Sequence, residues 1–189
     1  ALFTQPTTPI KCGGAPQKIM YLAESHWAKS NTKSNTNVIF ATAGTVIFGT
    51  KEIAETLMEV VDRKDINLRF NHKLVEVDGA NKIAWYELTK DIQAGGCVIM
   101  SGDDDGKYLD ETFQYNYKDV KVTKKDGRYG IHYDMLHTAP PSVAPKFIQE
   151  SDLVNDAGWV DVDINTLQHK KYTNIFSLGD VAALPTAKT

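Results

Sequence analysis

The decapeptide PIKCGGAPQK, residues 9–18, brings a thiol, two glycines and a proline together at a strand-to-helix junction. Ile10 to Cys12 reads as the end of a short strand, and Pro16 suits the first turn of a helix, where its missing N–H costs nothing. A thiol beside a helix N-terminus, close to Lys11 and Lys18, meets local charge that favours the thiolate, the nucleophilic form. Cys12 is therefore a candidate reactive cysteine. The plainer reading is a small apolar side chain closing a strand.

A dinucleotide-binding turn places GxGxxG at such a junction, so that backbone N–H groups approach a pyrophosphate at the helix N-terminus. Here the run is Cys12, Gly13, Gly14, Ala15, Pro16: the spacing is broken and one donor is lost. The acidic residue that would hold a ribose hydroxyl about 20 residues onward is also missing, because no Asp or Glu stands between Glu24 and Glu52. The expectation is a nucleotide-binding type of fold without a working nicotinamide site.

Asp180 is the second candidate. The run NIFSLGD reads as a buried strand delivering Gly179 and Asp180 into a loop at the carboxyl edge of a sheet, where α/β folds bind ligands. An ionised Asp there accepts hydrogen bonds from sugar hydroxyls; otherwise it caps a turn. SGDDDG resembles a calcium loop only in its middle, since the required register puts Ser101 first and Thr112 twelfth, so it reads as a solvated turn. His132 and His137 stand five apart, not at the spacing of a zinc helix, and His26, His72 and His169 have no partner that sequence can name. Cys97 reads as a packed strand residue.

The elements that must position these groups follow from periodicity. After a Thr/Pro-rich lead-in and the first short strand comes a helix with Ile19, Leu22, Ala23, His26 and Trp27 at helical spacing. VIFATAG is apolar on both faces, as a buried parallel strand is. A helix from about Lys51 to Lys64 carries Ile53, Leu57, Val60 and Val61 on one stripe, with Glu52 and Glu55 early and Arg63 and Lys64 late, matching its dipole. LRF, KLVEV and KIAWYEL then read as strands, with residues 78–81 as a turn. Residues 89–124 read as an inserted β region. IHYDMLHTAPP reads as a strand returning to the core, ended by its prolines, and a short helix is expected near Lys146 to Ser151, ahead of GWVDVD. The fold class expected is α/β: a degenerate Rossmann-like open sheet with an added antiparallel β layer.

The composition is that of a globular domain: 189 residues, 42% hydrophobic and 24% charged, enough for a sizeable core. With 21 basic against 24 acidic side chains and no basic run, nucleic acid is not an expected partner. Two cysteines, without CxxC or zinc spacing, exclude a disulfide scaffold and a structural metal. No apolar run reaches the length of a membrane span and Ala1 opens no signal peptide, so the chain is expected to be soluble as written.

The segments PIKCGGAPQKIMYLAE, YDMLHTAPP, GWVDVD, TLQHKKYTNIFSLGD and LPTAKT, in this order, resemble sulfide:quinone oxidoreductases of the mitochondrial-type branch, within the pyridine nucleotide-disulfide oxidoreductase superfamily. The resemblance covers most of the chain except the 89–124 region. It implies an FAD enzyme that oxidises sulfide at a cysteine, forms a persulfide and sends electrons through the flavin to a membrane quinone. Carried over, Cys12 is the redox thiol, Gly179 and Asp180 bind the flavin ribityl chain, and the stretch around Lys188 leads to a helix facing the flavin ring.

The resemblance also implies that residues 1–189 are one NAD-domain-like part of a larger flavoprotein, whose amino-terminal FAD unit and carboxyl-terminal membrane part lie elsewhere. This part alone is expected to be inactive and to bind FAD weakly or not at all. The parent is expected to be peripheral on a bacterial cytoplasmic or mitochondrial inner membrane. One position departs from the branch: where a second cysteine usually follows the Gly-Asp pair, this chain has Val181. Two alternatives stay open: a pyridine-nucleotide-dependent flavin dehydrogenase domain, against which the broken glycine spacing and the acid-free stretch count, and a non-catalytic module that has lost the second redox thiol, which Val181 supports.

Overall fold

The structure is a computed structural model and describes residues 1–5, 7, 12–89, 120–139 and 142–185. The chain divides into two compact units. The first holds the described residues up to Thr7 and from Gly14 to Ala139; the second holds Cys12, Gly13 and residues 142–185.

In the first unit the strands β1 (Leu2–Gln5), β2 (Val38–Thr42) and β3 (Ile66–Arg69) alternate with helices α1 (Ala15–Lys29) and α2 (Lys51–Arg63). Two further strands, β4 (His72–Asp78) and β5 (Ile83–Leu88), form a hairpin whose turn is closed by Asn81 N–H donating to Asp78 Oδ1 at 3.0 Å. They are followed by β6 (Val122–Lys125), β7 (Arg128–His132) and β8 (Leu136–Thr138). A parallel sheet runs in the order β3-β2-β1-β8 and an antiparallel sheet in the order β4-β5-β7-β6. The parallel order is that of half a doubly wound nucleotide-binding fold, and the expected α/β architecture with an antiparallel layer is what the structure has.

Alternation along the strands separates the two faces of the parallel sheet. Phe3, Val38, Phe40, Ile66 and Leu68 pack with Met20, Ala54 and Val61 of the helices. Leu2, Ile39 and Ala41 pack with Ala84, Tyr86 and Ile131 of the antiparallel sheet. β2 is buried along its whole length because it has a layer on each side.

Four sequence expectations need correction. The first strand is Leu2–Gln5, inside what reads as a lead-in; Cys12 is not in a strand, and Ile10 and Lys11 lie outside the described residues. Leu2 to Gln5 is a strand because β2 takes one edge and β8 the other, a tertiary cause that no local pattern carries. The run IHYDMLHT is two strands in different sheets, β7 and β8, broken by Tyr133, Asp134 and Met135. On α1 the inward residues are Pro16, Gln17, Met20 and Glu24, while Ile19 and Leu22 are 38% and 61% exposed. Polar residues can face inward here because each has a partner: Gln17 Nε2 donates to Ile47 O at 2.5 Å and Glu24 pairs with Lys64. Of the 89–124 region only its ends are described, and residues 122–124 belong to β6.

Gly130 of β7 lies directly opposite Trp85 of β5. A Cβ there would come within 2.7 Å of Ile83 Cγ2 and 2.9 Å of Trp85 Cζ3, so the indole covers a position that only glycine leaves open. Gly130→Ala is expected to lower stability by about 1–3 kcal/mol through overpacking. A lower denaturant midpoint at unchanged m-value checks this.

The second unit has little regular structure. It contains a one-turn helix, Lys146–Gln149, as expected, and a small core of Val160, Val162 and Ala182, with Ile148, Leu153, Val181 and Leu184 packed against it. NIFSLGD is not a buried strand, which corrects the fourth expectation. Gln168 and Phe176 form one isolated antiparallel bridge, and Phe176 and Leu178 stand 59% and 72% exposed. An apolar run reads as a buried strand only when neighbouring strands cover it, and no further ladder flanks this one among the described residues.

Candidate functional site

The connection between β1 and α1 spans residues 6–14, longer than the two to six residues common for such loops. The extra length carries Cys12. Gly14 is the N-cap of α1 with no side-chain cap hydrogen bond, and Pro16 lies in the first turn, as expected. Cys12 therefore does precede a helix N-terminus by two residues. It is a half-buried free thiol, and a Cβ added at Gly14 would meet nothing within 4 Å. Among the described residues, none fills the space beside the Gly14 Cα.

Although 166 residues of sequence lie between Gly13 and Asp180, the chain folds Cys12 into the same compact unit as the Gly-Asp turn. Gly179 adopts φ +75, a left-handed conformation that favours glycine, and opens a 3-10 turn, Gly179–Val181. The chain on both sides of this turn is pinned. Before it, His169 N–H donates to Ile175 O at 2.8 Å and Ser177 N–H to Leu167 O at 3.0 Å. After it, Val160 N–H donates to Val181 O at 3.0 Å and Ala183 N–H to Val160 O at 2.9 Å. Asp180 itself is exposed, and its carboxylate makes no hydrogen bond or ion pair with a described residue. Gly179 gives the turn its shape, and no described residue occupies the Asp180 oxygens, which are acceptors when ionised.

Val181 is half-buried and packs against the Val160, Val162 and Ala182 core. It supplies apolar contact at the position directly after the Gly-Asp pair. Lys188, Cys97 and the SGDDDG run lie outside the described residues. No group of three or more His, Cys, Asp or Glu among the described residues could hold a metal ion, and no described helix is long and apolar enough to cross a membrane.

The first unit has a buried polar group of its own at the carboxyl end of the parallel strands. Thr4 Oγ1 and Tyr86 OH are 2.5 Å apart, and Arg69 Nε donates to Asn67 Oδ1 at 2.6 Å. His72 stands edge-on to the Tyr86 ring at 5.6 Å, with Nδ1 2.6 Å from Phe70 O. Burial, with the nearby Arg69 charge, holds His72 down to about 3, and burial pushes the Tyr86 hydroxyl up. Both therefore stay neutral at pH 7. The sequence identifies none of these as a group, because Thr4, Arg69, His72 and Tyr86 meet only when the two sheets stack.

The chain is 39% identical over its whole length to the mitochondrial sulfide:quinone oxidoreductase of Mus musculus and 35% identical over its whole length to that of Dictyostelium discoideum. This chain is sulfide:quinone oxidoreductase-like. It spans about a third of the length of the relatives it matches, 35% and 34%. The crystal structure of the sulfide:quinone oxidoreductase from Aquifex aeolicus superposes with a TM-score of 0.67 at 14% identity, over 97% of this chain and 36% of that one. At that identity the superposition speaks for the fold alone. No family model matches the chain.

Proposed function

We propose that this chain is the NAD-domain-like part of a larger flavoprotein that oxidises sulfide and reduces a quinone, with Cys12 as the sulfur-handling thiol. The observation that supports this most is the folding of Cys12 and the Gly179–Asp180 turn into one unit, with the thiol free and the exposed carboxylate bonded to no described residue. The relatives' shared name gives the substrates. In this reading Cys12 sulfur bonds to the sulfur of hydrosulfide. One proton and two electrons leave, the thiol becomes a persulfide, and the quinone takes the electrons.

A family of flavoproteins implies FAD, and the residues present fit it. A glycine in a left-handed turn lets a ligand approach the backbone, and the exposed Asp180 carboxylate suits the hydroxyls of a ribityl chain. FAD, when bound, supplies a two-electron carrier between thiol and quinone. Gly179 and Asp180 would hold its sugar chain, with Lys188 beyond the described turn. The amino-terminal FAD-binding part and the membrane-binding part belong to the larger protein, which would sit peripherally on a bacterial cytoplasmic or mitochondrial inner membrane. This chain alone would bind FAD weakly.

Val181 favours a second reading, a module that keeps the fold without turnover, because a two-cysteine cycle resolves its adduct by thiol exchange and valine cannot. One experiment separates the two. The full-length protein is expected to show flavin absorption and to reduce a soluble quinone with sulfide as donor. Absence of flavin, or NADH as the effective donor in place of sulfide, would overturn the first reading; bound flavin with no donor activity would establish the second.

A further inference from the structure

His169 is nearly fully buried, and both ring nitrogens are occupied by backbone groups. Nδ1 accepts from Lys171 N–H at 3.0 Å and Tyr172 N–H at 3.1 Å. With Nδ1 accepting, the ring proton belongs on Nε2, which lies 2.9 Å from Leu153 O. The same Leu153 carbonyl accepts Asp161 N–H at 2.9 Å. One side chain thus fastens the turn at 171–172 to the segment at 153 and, through Asp161, to the strand-like run at 160–162.

These are the two supports on which the Gly-Asp turn hangs. The arm entering it, Ile175 to Ser177, bonds to Leu167 and His169 backbone, and the arm leaving it, Val181 to Ala183, bonds to Val160. Val162 and His169 are bridge partners, which ties the two supports together beside the ring. We propose that His169 is a positioning residue for Asp180: with Nδ1 accepting and Nε2–H donating, its ring fixes the hairpin that aims the carboxylate at the cofactor's hydroxyls. This role rests on the flavoprotein reading above. Nothing in it requires His169 to touch the cofactor.

The two nitrogens can be tested separately, because an Asn amide oxygen takes the place of Nδ1 as acceptor while a methyl takes neither place. Flavin affinity of reconstituted full-length protein, its melting temperature and amide exchange at Lys171 and Tyr172 are compared for His169→Ala, His169→Asn and Leu184→Ala. Leu184→Ala trims the core of the same unit without touching the tether. His169→Ala is expected to expose both amides and weaken flavin binding by about tenfold, the loss of one or two buried hydrogen bonds. Leu184→Ala should weaken it by less than roughly threefold at a comparable loss of melting temperature, and His169→Asn should restore amide protection and most of the affinity.

Equal weakening by His169→Ala and Leu184→Ala at equal melting temperature would overturn the proposal, as would His169→Asn that protects both amides yet recovers no affinity. A wild-type protein without flavin would instead sink the flavoprotein reading and this role with it. That result is distinguishable, because amide exchange reports the tether with no flavin present.

Discussion

Cys12→Ser is expected to lower sulfide-dependent quinone reduction by the full-length protein by on the order of a hundredfold or more, leaving flavin content and melting temperature close to wild type. Cys12 is the free, half-buried thiol among the described residues, and it lies in the connection ahead of α1. A serine oxygen matches its size but is a far weaker nucleophile at neutral pH and holds no second sulfur. Stability should hold because a half-buried SH exchanged for OH breaks no hydrogen bond that the structure shows. Rates with sulfide are measured against a donor that bypasses the thiol, such as dithionite. Equal sulfide rates in Cys12→Ser and wild type would remove Cys12 from the reaction and leave Val181 as the guide to a non-catalytic role.

Acidification is expected to weaken the first unit well above the range where carboxylates titrate. His72 is fully buried and its folded value is about 3, against 6.5 for an ordinary histidine. As pH falls through 6.5 the unfolded chain takes up a proton that the folded chain refuses until about pH 3, so unfolding gains. The stability from His72 is therefore full above pH 6.5, declines steadily below it and is gone near pH 3, a loss of up to about 5 kcal/mol. Asp78 of the same unit, whose hydrogen bonds to Asn81 hold it below the ordinary carboxylate value, acts at lower pH. His132 is also shifted down, by partial burial and Lys121, and adds a smaller loss of the same sign. His72→Phe keeps a ring against Tyr86 and removes the titration. Urea midpoints between pH 6.5 and 4.5 should then fall much less steeply than in wild type; an unchanged slope would show that His72 is not the source.

The parts of the fold legible in the sequence are those with local causes. VIFAT reads as a parallel strand because every residue is apolar, α2 because its apolar stripe and end charges agree, and the 78–81 turn because Asp78 caps its own backbone. What was not legible depends on partners far along the chain. Leu2 to Gln5 is a strand only between β2 and β8, and the inward face of α1 includes Gln17 and Glu24 only because Ile47 O and Lys64 receive them. NIFSLGD fails in the opposite direction: its pattern is that of a buried strand, but the described residues supply a single bridge.

The candidate site divides in the same way. Cys12 and Asp180 stand out in sequence because a thiol before a helix and a Gly-Asp pair after an apolar run are local signals. His169 does not, since its partners are backbone atoms of residues 153, 171 and 172. No residue-type pattern encodes a carbonyl sixteen positions upstream.

In the parallel sheet, Leu2 is matched with Ile39 on one edge and Leu136 on the other. Within this chain the early strands can pair soon after β2 and β3 emerge, but the other edge of β1 finds its partner here only once the far more distant β8 has been made. Throughout that interval a row of unsatisfied amides and carbonyls, flanked by Leu2 and Phe3, is open to any passing strand. Closing so long a loop is slow, so the step most exposed to wrong pairing during biogenesis is the docking of three residues, Leu136 to Thr138.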